Sequence, residues 1–234
     1  MHIILAGATG LVGSSALVAL RAQPDISKIS ILSRRLVPMI EGTKDINDGR
    51  IEALGISQSA VGKDEYIHTT KTILLEAANA FQQLKSEYDP DSKPFNFVFV
   101  SGEGTTHTPN RLTPLFGRIK GETETALLNL EKRNPLFRPL IVRPGFVDPA
   151  NHKEIQPWIP DRGPMTRAFD CTFAPVLRGM AKGQHSPTAA LGEFLAGAAV
   201  GALDEKLKGE GVDVCYRCEC GILEVDGVIE RPSQ

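Results

Sequence analysis

An α/β fold built on a mostly parallel sheet is what this sequence predicts, on three observations. Short apolar runs alternate with longer segments of helical spacing from the N-terminus to about residue 149. A glycine-rich turn, Gly7-Ala8-Thr9-Gly10-Leu11-Val12-Gly13, stands directly between the first apolar run and the first helical segment. The run Asn96–Ser101 (NFVFVS) has the unbroken apolar character of a buried strand.

Each element follows from local pattern. His2–Ala6 is a short apolar strand, and Leu11–Ala22 is helical until Gln23-Pro24, where proline disfavours further helix. Lys28–Ser33 (KISILS) alternates and is rich in isoleucine, a second strand. A long amphipathic helix is expected from Asp64 to about Ser86, with Ile67, Leu74, Leu75, Ala78, Phe81 and Leu84 at helical spacing. After Asn96–Ser101 come a helix from about Phe116 to Lys132 and a strand at Pro139–Arg143. Beyond Pro149 the pattern weakens into a proline-rich stretch around Trp158-Ile159-Pro160 and Gly163-Pro164. Two helices follow, about Met165–Lys182 and Thr188–Leu207, the second opened by Ser186 as cap and Pro187 in the first turn.

Composition narrows the function classes. The 234 residues suffice for one good-sized core, and 41% hydrophobic with 23% charged residues are ordinary globular values. A formal net charge of −2 speaks against general nucleic-acid binding, and no window reaches the ~20 apolar residues of a membrane span. Met1–Leu20 looks superficially like a signal peptide, but it lacks a basic start and its glycines interrupt the apolar run. Four cysteines, three of them crowded near the C-terminus, do not form a secreted disulfide framework, so a reducing, cytoplasmic location is expected.

The glycine turn carries the clearest chemistry. A G-x-x-G-x-x-G spacing between strand and helix provides a tight turn at Gly7, close backbone approach to a pyrophosphate at Gly10, and close helix–strand packing at Gly13. The helix start then offers free N–H groups and the positive end of its dipole to phosphates. Gly7, Thr9, Gly10, Leu11, Val12 and Gly13 are therefore candidate cofactor-binding residues, the alternative being a structural glycine turn. The second strand ends in Ser33-Arg34-Arg35, about 20 residues beyond the motif, where an NAD site usually carries an acidic residue. Arginine suits a 2′-phosphate instead, so NADP(H) is the expected cofactor; the plainer alternative is a solvated basic pair.

GATGLVG, the SRR, the FVFVSGEG strand end, the FGRIKGETE helix and the LIVRPG strand together resemble the extended and atypical short-chain dehydrogenase/reductases. The resemblance is greatest to the small NAD(P)-binding group of TIP30-like and NmrA-like proteins. It covers most of residues 1–149 and, more loosely, 188–207. It implies one NAD(P)-binding Rossmann-like domain over 1–234, with a nucleotide-binding core at 1–149 and substrate-side helices and tail at 150–234. It further implies Ser101 as catalytic serine and Lys120 as the lysine that orients the nicotinamide ribose. Arg143-Pro144-Gly145 is implied beside the nicotinamide, with Pro144 a cofactor contact. The substrate class implied is a small carbonyl or polyketide-like metabolite.

Two departures matter. The family's tyrosine stands four residues before its lysine, and that position here is Phe116, which has no proton to give. Between Arg35 and Ala53 only 17 residues remain, where a third strand, its crossover helix and the entry to a fourth strand normally need about 30. Gly42, Asp45, Asn47, Asp48 and Gly49 make this stretch loop-like. The expectation is a doubly wound parallel sheet lacking one outer strand, with passage to a short strand near Arg50–Leu54. A natural deletion or a gene-model error is the implied cause.

Other constellations are weaker. Cys215, Cys218 and Cys220 have no fourth ligand or histidine nearby for a closed zinc site, so no metal is expected; the reading is unremarkable thiols, the alternatives a metal site or a redox-active pair. His107 follows Ser101 by six residues and either lines the pocket or is a polar loop residue; Lys120 is either the ribose lysine or a solvated helix lysine beside Glu124. Gly192, Gly197 and Gly201 lighten a helix for close packing on the sheet or on a partner, which leaves a homodimer open. The leading expectation is an NADP(H)-dependent oxidoreductase acting on a small molecule. The alternatives are a non-catalytic NADP(H) sensor or scaffold, favoured by Phe116, and a redox-neutral isomerase or cyclase.

Overall fold

The computed structural model describes residues 1–55, 66–84, 94–159 and 185–204, and the backbone of strands at 214–215, 217–219 and 222–224. The chain divides into two compact units. The first comprises Met1–Gln58, Gly145–Leu203 and Tyr216–Asp226; the second comprises Ser59–Pro144, Asp204–Cys215 and Gly227–Gln234. The expected helix at Met165–Lys182 lies outside the described residues, as do the side chains of Cys215, Cys218 and Cys220.

The first unit is led by a parallel sheet of β1 (His2–Ala6), β2 (Lys28–Ser33) and β3 (Ile51–Gly55) in the order β1-β2-β3. Helix α1 (Leu11–Ala22) connects β1 to β2. Register runs from His2↔Lys28 to Ala6↔Leu32, and from Ile29↔Ile51 to Ser33↔Gly55. Ile29, Ile31, Ile51, Leu17 and Ile26 are almost completely buried, because both the alternating strand pattern and the inner helix face turn apolar side chains to one core.

The outer place in this sheet is filled, contrary to the expected missing strand. The short connection from β2 leads through a single 3₁₀ turn (Pro38–Ile40) and one turn of helix, α2 (Lys44–Asn47), straight to β3 beside β2. The shortfall therefore falls on the crossover helix rather than on the strand. Val37, Met39 and Ile40 are buried and seal the core edge in place of a full helix. Arg50 fixes this economical route. Its guanidinium donates to the carbonyls of Ile26 (3.1 Å), Arg21 (3.0 Å) and Gln23 (2.9 Å) and to Asp45 (3.2 Å), while Arg21 donates to Asp45 at 2.8 Å.

Short strands β6 (Phe146–Asp148) and β7 (His185–Pro187) pair in parallel, and α5 (Thr188–Val200) follows β7 in the same unit. Pairing places Ser186 opposite Val147, so the helix is capped at Pro187 and begins one residue later than the expected Ser186 cap requires. A Cβ on Gly192 would stand 2.4 Å from the Ser15 carbonyl; that glycine lets α5 pack directly on α1. Two further short strands, β9 (Arg217–Glu219) and β10 (Ile222–Glu224), pair antiparallel.

In the second unit, α3 (Ile73–Phe81) is entered through a π-helical turn (His68–Thr72) and left by a 3₁₀ turn (Gln82–Leu84). Strands β4 (Phe95–Val100) and β5 (Phe137–Arg143) pair in parallel from Phe95↔Phe137 to Val100↔Val142, with α4 (Leu115–Arg133) between them in sequence. The two-residue β8 (Val214–Cys215) pairs with the end of β5. Ala78, Phe99, Leu127, Leu130 and Phe137 form the core of this unit, and the Phe97 and Phe137 rings lie 5.3 Å apart. Among the described residues no helix is long and apolar enough to cross a membrane.

Replacing Arg50 with alanine removes the side-chain donor from three backbone carbonyls and leaves Asp45 with Arg21 alone. The expected cost is about 2–3 kcal/mol, a fall of roughly 5–10 °C in Tm. Thermal unfolding followed by circular dichroism checks this, and an unchanged Tm contradicts the role given to Arg50.

Candidate nucleotide loop and the Glu124 cluster

The first unit builds a loop suited to phosphates. Gly7 has φ of 78°, and its carbonyl accepts from the Gly10 N–H at 2.9 Å, closing a tight turn after β1. A Cβ on Gly13 would stand 2.0 Å from that same Gly7 carbonyl, so only glycine allows α1 to start so close to the strand. Gly10 caps α1 with extended backbone and no side-chain hydrogen bond, and no acidic residue occupies the first turn. The first N–H groups of a helix have no intrahelical partner. Here neither a capping side chain nor a local carboxylate competes for them, and Leu11, Val12 and Gly13 present them at the turn.

Ser33, Arg34 and Arg35 stand at the same end of the same sheet, because β1 and β2 are parallel and Ala6 pairs with Leu32. Ser33 is buried, donates its hydroxyl to the Arg35 carbonyl at 2.7 Å and accepts from the Arg35 N–H at 3.2 Å. This local turn sets both arginines at the surface just past β2. The unit thus gathers Gly7, Thr9, Gly10, Leu11, Val12, Gly13, Ser33, Arg34 and Arg35 at one sheet end. The donors present fit a dinucleotide: backbone N–H groups for a pyrophosphate and guanidinium groups for a further phosphate.

The second unit holds Ser101, Lys120 and Pro144. Ser101 continues the β4–β5 ladder through its N–H to Val142 (2.7 Å), and Glu103 does the same to the Pro144 carbonyl (3.1 Å). Lys120, on the buried side of α4, donates to the Ser101 carbonyl at 2.6 Å. It is not the solvated helix lysine that its spacing from Glu124 allowed. Burial pushes its ammonium below the ordinary lysine value, with the charge of Glu124 opposing. Phe116, one turn earlier on α4, stays exposed, its ring edge against Gly104.

Glu124 is the residue that sequence reasoning missed. It is completely buried, and it accepts from Arg143 (3.1 Å to Oε1 and a second, shorter contact to Oε2) and from His107 at 2.6 Å. Burial pushes its carboxyl up. Hydrogen bonds from Arg143, Ser101 and His107, with the charge of Arg143, outweigh burial and hold it below the ordinary glutamate value. The signal was present in the helix pattern: Ile119, Thr123, Leu127 and Leu130 mark the buried stripe, and Glu124 lies on it. His107 reaches Glu124 because its loop lies flat on α4. A Cβ on Gly117 would meet the Gly104 carbonyl at 2.6 Å, and one on Gly121 would meet the Thr106 carbonyl at 2.0 Å. Among the described residues no group of three or more His, Cys, Asp or Glu is arranged to hold a metal ion.

Parallel strands alternating with helices, and a glycine turn between β1 and α1, define a Rossmann-type α/β protein. The PhqB reductase domain from Penicillium fellutanum superposes with a TM-score of 0.59 at 13% sequence identity, over 85% of this chain and 64% of that chain. No family model matches the sequence. Over 139 residues the chain is 50% identical to the botcinic acid biosynthesis cluster B protein 16 of Botryotinia fuckeliana (strain B05.10), covering 59% of this chain and 86% of that protein. The leucinostatins biosynthesis cluster protein T of Purpureocillium lilacinum is 30% identical over 198 residues, covering 68% of this chain and 70% of that protein. The chain belongs to the family of the botcinic acid cluster protein.

A Glu124→Gln substitution leaves Arg143 with a buried, uncharged partner and should cost about 3 kcal/mol at neutral pH. Because the Glu124 carboxyl is held below its ordinary value, its stabilisation is complete above about pH 4.3 and is lost as pH falls through the depressed value. The gap between wild type and variant should therefore narrow in acid. Urea unfolding at pH 7 and at pH 3 checks this; a gap that is constant with pH contradicts the assignment.

Proposed function

We propose that this chain is an oxidoreductase of the short-chain dehydrogenase/reductase type. Its preferred cofactor is NADP(H), and its substrate is a small carbonyl or polyketide-like metabolite. The observation that carries the reading is the glycine loop and the Ser33-Arg34-Arg35 turn meeting at one end of a parallel sheet. The names of the relatives support a place in the biosynthesis of a small molecule, and the TIP30-like and NmrA-like group remains the subgroup its motifs resemble.

In this reading the first-turn N–H groups of Leu11, Val12 and Gly13 bind the pyrophosphate, with Gly10 permitting its close approach. Arg34 and Arg35 take the 2′-phosphate. Lys120, which donates one of its three hydrogens to the Ser101 carbonyl, would hold the nicotinamide ribose with the others. The Ser101 hydroxyl polarises the substrate carbonyl, and Pro144 borders the nicotinamide. When bound and reduced, the nicotinamide supplies a hydride. Residues 1–149 would carry the nucleotide and residues 150–234 the substrate-side elements of one functional domain.

Calorimetric titration with NADPH and, beside it, NADH tests the reading. NADPH should bind at least ten times tighter than NADH. Replacing Arg34 and Arg35 with alanine should weaken NADPH by about 10–100-fold and leave NADH nearly unchanged, since charge-assisted hydrogen bonds contribute about 1.5–3 kcal/mol. Binding of neither dinucleotide contradicts the function; equal binding of both contradicts the role of the arginines.

A further inference from the structure

A carbonyl that accepts a hydride becomes an alkoxide, and an alkoxide needs a proton. Phe116 can give none, Arg143 never deprotonates in a protein, and the Lys120 ammonium is assigned above to the Ser101 carbonyl and the ribose hydroxyls. His107 remains, and its setting is specific. Its Nε2 lies 2.6 Å from Glu124 Oε2 and 3.1 Å from Arg143 Nη2. Arginine only donates, and an ionised carboxylate only accepts. Nε2 cannot both accept from Arg143 and donate to Glu124. Arg143 Nη2 has its closer partner in Glu124 Oε2, so the shorter 2.6 Å contact is the histidine's hydrogen bond. Nε2 carries the hydrogen, and Nδ1 is left as the nitrogen open to proton exchange.

Packing adds a second argument. Glu124 is 0% exposed while the His107 side chain is 36% exposed, so one edge of the ring is anchored and the rest is open to solvent. Arg143 already neutralises Glu124, so the fold does not need the histidine to satisfy a buried charge. The Ser101 hydroxyl pairs with Thr105 Oγ1 at 3.1 Å, two residues before His107, so the proposed carbonyl-polarising hydroxyl and the imidazole belong to one loop. The charged groups set around the ring are Glu124 and Arg143, with Lys120 one turn from Glu124 on α4.

We propose that His107, anchored through Nε2 by Glu124, is the acid that protonates the substrate carbonyl oxygen from Nδ1. The proposal rests on the reductase reading above. As the carbonyl carbon accepts hydride from a reduced nicotinamide dinucleotide, the C=O π pair moves onto oxygen, and that oxygen takes the proton from Nδ1. The imidazole is left neutral and regains a proton from water at its exposed edge. Hydride and proton together make the alcohol, and the dinucleotide leaves oxidised.

The test combines histidine-ring NMR on the full chain with kinetics, using 9,10-phenanthrenequinone as carbonyl probe and NADPH as reductant. The ¹⁵N-labelled ring of His107 should carry its hydrogen on Nε2 when neutral. Placement on Nδ1 overturns the proposal, whatever the chain binds. His107→Gln should lower kcat by about 100-fold, flatten its pH profile, and leave the NADPH Kd and the KM for the quinone within twofold. His107→Asn, of different reach, should behave alike. Turnover within twofold of wild type, or an unchanged pH profile, overturns the proposal, as does a wild type that binds NADPH but leaves the quinone unreduced. Failure of the wild type to bind either dinucleotide is a different result, because it removes the reductase reading itself.

Discussion

The nucleotide half depends on an approach that a single methyl group would forbid. Gly13 sits where a Cβ would come within 2.0 Å of the Gly7 carbonyl, and that proximity starts α1 immediately beyond β1. From it follow the tight turn at Gly7, the uncapped first turn of α1, and the alignment of these N–H groups with the end of β2. Parallel pairing then brings Arg34 and Arg35 to the same edge. A side chain at Gly13 would disturb helix, turn and phosphate-facing surface together, since all three share the same few backbone atoms.

In the second unit a buried carboxylate has the comparable part. Glu124 draws Arg143 from the end of β5 and His107 from the loop after β4 toward one point. Loop and helix can meet there only because Gly117 and Gly121 leave backbone against backbone. Removing an ionised, hydrogen-bonded group from such a place leaves its partners uncompensated, a far larger cost than losing a surface ion pair. Lys120, one turn away on the same helix, is tied to the Ser101 carbonyl and completes the arrangement.

Much of this was legible in the residues. Strand, glycine turn and helix are adjacent in sequence, so β1, the loop and α1 could be read from spacing alone, as could β2 from its alternation. Family resemblance implied separate roles for Ser101 and Lys120; the hydrogen bond from the Lys120 ammonium to the Ser101 carbonyl is seen only in the structure. The place of β3 was not legible, because a five-residue strand does not encode its neighbour; its position beside β2 depends on tertiary pairing and on the Arg50 clamp. Glu124 was hidden by its type: a glutamate four residues from a lysine reads as a surface pair until the buried stripe around it is counted. His107 was open between pocket and loop because its partner lies across a helix–loop contact set by two glycines.

Hydrogen–deuterium exchange of the full chain, with and without saturating NADPH, tests the central claim most directly. The account predicts slowed exchange at the amides of Leu11, Val12 and Gly13 and in the Ser33–Arg35 turn. Protection that falls elsewhere and spares those amides would contradict it.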